Sequence, residues 1–316
     1  MKWPMKWLPF SIRDCRNNRP EPQYTDYDAI SPHLHTEGSS KSRLPPGMRT
    51  ALALLAGLWC TLAPAAELNV AVAANFAVTL RVLAAQFQRA TDHSINISIA
   101  SSGKLSTQIM HGAPYDVFLS ADGEHPLRLI DANLAHADSL FTYALGTLVL
   151  WQPDNSGSQG QTQQASATNA DNLASARLIA LASPRHAPYG RAAKETLIAL
   201  GHWQTLIDNG RLAFAESVGQ AWHFGASGNA DLAFVALSQV KAAAPEYQGT
   251  ISYWPVPPQL HTPIVQRGII LLRSGEPELA RRFCHWLQTD PWVRATIIEA
   301  GYHLPTLGKP EEQRDD

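Results

Sequence analysis

From Glu67 onward, short apolar runs of strand character alternate with stretches of helical period, and this alternation limits the fold more than any other feature. LNVAVAA (68–74), INISIAS (95–101), DVFLSA (116–121), TYALGTLVLW (142–151), RLIALA (177–182), RLAFAE (211–216), DLAFVAL (231–237), ISYWPV (251–256) and IVQRGIILLR (264–273) read as strands. Between Phe76 and Arg89 the apolar residues Phe76, Leu80, Leu83 and Phe87 recur at three-to-four spacing, the mark of a helix with one buried face. Further helices are expected at Lys104–His111, around 125–132, from Arg191, after Gln220, and at 277–288 and 291–300. Parallel strands need a crossover, usually a helix, so repeated βα units imply a mostly parallel sheet with helices on both faces. No repeat of 20–50 residues is visible, which sets a solenoid aside.

The 316 residues are 45% hydrophobic, enough for about two domains and too apolar for a disordered chain. Lys plus Arg total 25 against 27 for Asp plus Glu, a formal charge of -2, so no basic balance supports nucleic-acid binding. Cys15, Cys60 and Cys284 fit neither a zinc pattern nor a CxxC redox motif. Cys284 falls in PELARRFCHWLQ, where it reads as a small packed hydrophobe.

The first part of the chain reads as targeting rather than fold. ALALLAGLWCTLA (51–63) is shorter than the roughly 20 apolar residues of a membrane span. Arg49 precedes it and Ala63-Pro64-Ala65 offers a small-x-small cleavage site, so 48–65 is expected to be a signal peptide beginning near Met48. Trp59 before Cys60 disfavours a lipoprotein signal. Residues 1–47, polar, proline-rich and aperiodic, are expected to be a mis-assigned or disordered extension. PDNSGSQGQTQQASATNADN (153–172) reads as a polar insertion without chemistry, and 309–316 as a disordered tail.

Catalytic signatures are missing. Ser98 stands where a P-loop ending in Ser102-Gly103-Lys104 needs its first glycine; Gly225-Ala226-Ser227-Gly228 has the wrong spacing for a nucleophile elbow; HExxH and GxGxxG do not occur. Instead, four strand-to-helix junctions carry small or hydroxyl residues: Ala73-Ala74-Asn75-Phe76, Ala100-Ser101-Ser102-Gly103-Lys104, His186-Ala187-Pro188-Tyr189-Gly190 and Ser217-Val218-Gly219-Gln220. Helix N-termini carry free N–H groups and the positive end of the dipole, which makes them anion sites. In α/β folds they gather at the carboxyl ends of the strands. Taken singly, Asn75 and Ser102 read as ordinary N-caps, Tyr189 as a half-buried aromatic, and Lys104 and Arg191 as solvated side chains. Their convergence is what points to a ligand.

Five stretches carry a resemblance: VAVAANF (70–76), IASSGKLSTQI (99–109), GAPYDVFLSAD (112–122), HAPYGRAAKETLIALG (186–201) and ESVGQAW (216–222). Over Glu67 to Gly308 the chain resembles the periplasmic molybdate-binding proteins of ABC transporters. The resemblance implies a two-lobed type II periplasmic-binding-protein fold, each lobe a mostly parallel sheet flanked by helices, joined by crossing hinge strands. The expected boundaries are 66–145 for the first part of lobe 1, 146–262 for lobe 2 and 263–308 for the hinge return and completion of lobe 1. Carried over motif by motif, it implies that Asn75 and Ser102 supply donors from lobe 1. The Tyr189 phenol and the Val218 backbone N–H supply them from lobe 2. Some family members place a ligand tyrosine where this chain has Ala236, and a subgroup has it in the APYG loop, as here. The resemblance further implies a periplasmic receptor, not an enzyme. It would need no cofactor, hold molybdenum only within bound molybdate, accept tungstate as well, and pass its ligand to an ABC permease without spanning the membrane.

The chemistry is consistent with that. Molybdate is a dianion without a proton to donate, and a site made only of donors suits it. Phosphate retains protons and calls for an acceptor, and among these loops only Glu216, read as structural, offers one. Rival readings are a receptor for sulfate, thiosulfate or an organic acid anchored by Arg191, a Ser-dependent enzyme with Ser102 as nucleophile, and a LysR-like effector domain. The expected signal peptide and the lack of a helix-turn-helix stretch oppose the last. N-terminal sequencing of the exported protein is expected to begin at Ala66; a start well upstream overturns the reading of residues 1–65.

Overall fold

In this computed structural model the described residues are 66–153, 162–163, 172–243 and 251–305. The expected extension, signal peptide and tail, most of the polar insertion, and the sites of Cys15 and Cys60 lie outside them.

Lobe 1 opens with β1 (Glu67–Ala73), α1 (Ala77–Thr91), β2 (Ser94–Ala100), α2 (Ser102–Met110), β3 (Val117–Leu119), α3 (Glu124–Asp131) and β4 (Phe141–Gly146). The chain then crosses into lobe 2, with β5 (Leu148–Pro153), β6 (Thr162–Gln163), α4 (Asn172–Ser175), β7 (Ile179–Ala182), α5 (Pro188–Ala199), α6 (Trp203–Asp208), β8 (Leu212–Ala215), α7 (Val218–Ala226), β9 (Leu232–Ala236), α8 (Leu237–Ala243) and β10 (Ile251–Pro255). It returns through β11 (Ile264–Ile270), and α9 (Pro277–Thr289) and α10 (Pro291–Glu299) complete lobe 1.

The sheet orders are β2-β1-β3-β11-β4 and β6-β10-β5-β9-β7-β8. Both are mixed. The β2-β1-β3 and β8-β7-β9 sets are parallel, as their crossover helices require, and the antiparallel pairs all involve strands next to the crossings: β11 with β3 and β4, β5 with β9 and β10. The expected single strand 142–151 is two strands. It breaks at Thr147, and its halves join different sheets, so this segment is a hinge crossing. An unbroken apolar run cannot reveal that change of sheet, because both halves are buried.

Each lobe has its own core. In lobe 1, Leu80, Leu83 and Phe87 of α1 pack with Phe283 and Leu287 of α9 over β1 and β3. Cys284 is buried there, and burial pushes its thiol up to about 12, so it behaves as a small apolar side chain. In lobe 2, Leu148–Trp151, Ile179–Ala182 and Leu232–Ala236 form the sheet core, with Trp151 stacked on Trp222 of α7 at 3.8 Å between ring centroids.

Helix α5 begins earlier than expected, at Pro188 rather than Arg191. Proline at the first helical position loses no bond, because that N–H has no partner within the helix. The early start puts Gly190 directly against the end of β7, where a methyl group would overlap the Ala182 carbonyl oxygen. Gly190→Ala is therefore expected to destabilise the protein by about 1–3 kcal/mol despite alanine's better helix propensity. Denaturant titration checks this, and an unchanged midpoint would refute it.

Candidate functional site

Asn75, Ser102, Tyr189 and Val218 line one small cavity of about 10 Å³ between the lobes, together with Ala73, Ala74, Ser101, Ala121, Ala187, Pro188 and Ser217. All four are almost fully buried. Three arrive at helix starts: Ser102 and Val218 are the first residues of α2 and α7, and Tyr189 is the second of α5. Asn75 sits in the turn between β1 and α1. No Asp, Glu, Lys, Arg or His lines the cavity.

Neither Asn75 nor Ser102 is an N-cap. Phe76 and Ser101 hold those positions without side-chain cap bonds, whereas Ser217 caps α7 by accepting from the Gln220 N–H at 3.3 Å. The Ser102 hydroxyl oxygen accepts from the Ala121 N–H at 2.9 Å, which leaves its own proton to donate. Among the described residues the backbone N–H groups of Asn75, Ser102 and Val218 make no hydrogen bond. The Asn75 side chain turns away from the open space. Its amide nitrogen donates to Gln266 Oε1 at 2.8 Å and lies 3.3 Å from the Tyr302 hydroxyl. The Asn75 side chain is thus committed to the protein while its main-chain N–H has no partner among the described residues, a distinction its residue type could not reveal.

Behind the cavity lies a buried polar network absent from the expected site residues. Gln266 of β11, fully buried, joins Asn75, lies 3.0 Å from the Tyr143 hydroxyl, and donates from Nε2 to the Tyr189 hydroxyl at 3.5 Å. The Tyr302 and Ser238 hydroxyls lie 2.8 Å apart and both are within hydrogen-bond distance of the Asn75 carbonyl, at 2.8 and 3.1 Å. Burial pushes the Tyr189 phenol well above its ordinary range, so it stays protonated and able to donate. The one sequence signal for this network was Gln266 itself, an uncharged polar residue inside IVQRGII. The Tyr189 hydroxyl also occupies the space a methyl at Gly146 would take.

Charged groups sit at the rim and pair across the lobes. Lys104 meets Glu216 at 3.1 Å, with both exposed. Arg191 of α5 reaches Asp122 at 2.9 Å and Glu124 at 2.5 Å, both just after β3. The Asp122 carboxylate also binds His125 at 2.9 Å. Arg191 is thus neutralised locally and is not held out for a ligand carboxylate. No hydrogen bond joins Ser102 to a histidine among the described residues, so the Ser102 nucleophile reading lacks its base. Ala236 is buried at the end of β9, outside the cavity, its N–H bound to Gln239.

Two α/β lobes on paired crossings, enclosing a cavity between them, define a solute-binding protein. The chain belongs to the bacterial extracellular solute-binding protein family, whose model matches residues 68–303. It is 38% identical to the molybdate-binding protein ModA of Rhodobacter capsulatus over 80% of this chain and 94% of that one. It is likewise 38% identical to ModA of Azotobacter vinelandii, over 81% of this chain and 97% of the relative. A solved periplasmic molybdate-binding protein of Azotobacter vinelandii superimposes with a TM-score of 0.66 at 41% identity, over 76% of this chain and all of that one. These relatives are binding proteins, not enzymes.

The rim predicts a pH response. Burial raises the Asp122 carboxyl, but the hydrogen bonds and charge of His125 outweigh it and the net shift is downward. The Arg191 hydrogen bond lowers Glu124. A carboxyl held below its unfolded value stabilises above the ordinary range of about 4, and the contribution is lost as pH falls through the folded value. The protein is expected to lose stability on acidification below about pH 4, and Arg191→Met to flatten that dependence. Melting curves against pH check this; identical profiles for both proteins would refute it.

Proposed function

We propose that this protein is a periplasmic receptor that binds molybdate between its lobes and delivers it to an ABC permease. The observation that carries the reading is the uncharged cavity in which donors of both lobes meet at three helix N-termini. Asn75, Ser102 and Val218 contribute N–H groups, and Ser102 and Tyr189 contribute hydroxyls. A dianion without protons is matched by such a set, and helix dipoles stabilise it without a buried counter-ion, whose desolvation costs several kcal/mol. Tungstate carries the same charge and nearly the same size, and should bind too. The identity with molybdate-binding relatives over nearly their whole length supports the ligand and the transporter partner alike. Among the described residues no helix is long and apolar enough to cross a membrane. The chain meets the transporter as a receptor that closes on its ligand about the crossings.

Calorimetric titration is expected to give tight binding of molybdate and tungstate, weaker binding of sulfate, and none of phosphate. No heat with the first two anions overturns the proposal. Ser102→Ala and Tyr189→Phe each remove a donor to a desolvated anion and should cost about 1.5–3 kcal/mol of affinity. Parental affinity in both would show that these side chains do not touch the ligand.

A further inference from the structure

Gln266 belongs to the returning crossing strand, and β11 slips register against β4 between Gln266 and Arg267. The extra residue of this irregularity is Tyr143 of β4, and a bulge re-aims a side chain relative to its neighbours. Beside it the Gln266 amide lies fully buried between residues contributed by both lobes: Asn75 on one side and Tyr189 on the other. An amide has one face that only accepts and one that only donates. Gln266 Oε1 takes the Asn75 amide at 2.8 Å, with the Tyr143 hydroxyl 3.0 Å away and shared with the Ser120 carbonyl. Its Nε2 is thereby turned to the Tyr189 oxygen.

This has a consequence for Tyr189. A hydroxyl has one proton and can both donate and accept. With its oxygen accepting from Gln266, the Tyr189 proton is directed elsewhere, and Tyr189 lines the cavity. We infer that Gln266 is a positioning residue that holds the Tyr189 hydroxyl as a donor toward the bound oxyanion. The inference rests on the oxyanion reading above and adds the residue that gives the site its donor-only character. Gln266 does not line the cavity, so it acts through Tyr189 rather than by touching the ligand.

The test replaces the donating face with an accepting one of the same shape. In Gln266→Glu the carboxylate accepts the Tyr189 proton and takes it from the anion. The titratable groups packed against this position are the hydroxyls of Tyr143 from β4 and Tyr189 from α5. Tyr302 lies one hydrogen bond further, and Asp122 acts on Tyr143; burial keeps all three phenols protonated. Among the described residues in contact with this position, the group that changes charge in the variant is the introduced carboxyl, raised by burial beside an anion. Calorimetry with molybdate is expected to show an affinity loss of about ten-fold or more at pH 8. That loss should be recovered progressively toward pH 6 as the carboxyl regains a proton to donate, while the parent changes little. Adding Tyr189→Phe to this variant should cost much less than it does in the parent, since the hydroxyl has already been diverted.

Losses that multiply independently, a deficit that does not vary with pH, or parental affinity each overturn the inference. If Gln266→Glu fails to fold, Tyr143→Phe tests the same point. It removes a partner of the Gln266 amide without altering the cavity lining, and should weaken binding severalfold; parental affinity in it overturns the inference. A parent protein that binds no oxyanion overturns the function and this inference together, whereas a parent that binds while the variants match it overturns this inference alone.

Discussion

Everything in this protein depends on hydrogen-bond donors with nothing inside the protein to bond to. Backbone N–H groups at helix starts have no partner within their helix and are costly when buried unpaired. Here those of Asn75, Ser102 and Val218 come from both lobes to one small cavity, and the hydroxyls of Ser102 and Tyr189 are turned by their own partners so that their protons remain available. Such a donor set is matched by an anion that brings acceptors and no protons, which is what the proposed function asks of it. The sheets serve to bring the helix starts to the same end of each lobe.

Formal charge is kept off this surface and placed around it. Arg191, Asp122, Glu124, Lys104 and Glu216 hold the lobes together at the rim. Lys104 and Glu216 are exposed enough that solvent and salt limit what their pairing contributes, whereas Asp122 is nearly buried and its pairing resists screening. Neutral donors inside and paired charges outside avoid two penalties at once. Among the described residues no cation lines the cavity and needs its own desolvation, and no carboxylate lines it to repel the ligand.

The alternation of periods made the strands and helices legible, and the four junctions at the carboxyl ends of strands do line one cavity. The break at Thr147 was not legible. A strand that changes sheets remains buried throughout, and nothing in TYALGTLVLW marks the crossing. The side-chain roles at the cavity were also only partly readable. Asn75 looked like a cap or a side-chain donor, yet its side-chain amide serves the network and its main-chain N–H is the group without a partner among the described residues. The network itself, spread over Gln266, Tyr143, Ser238 and Tyr302, is assembled from distant segments and has no local pattern.

Gly146, where the first crossing leaves lobe 1, has its missing side chain replaced by the phenol oxygen of Tyr189. The first crossing and the Tyr189 phenol therefore share one volume. A larger residue at position 146 has to push the end of the Tyr189 side chain aside, and Tyr189 lines the cavity. A change on the connecting strand is thereby transmitted to the cavity wall without touching it.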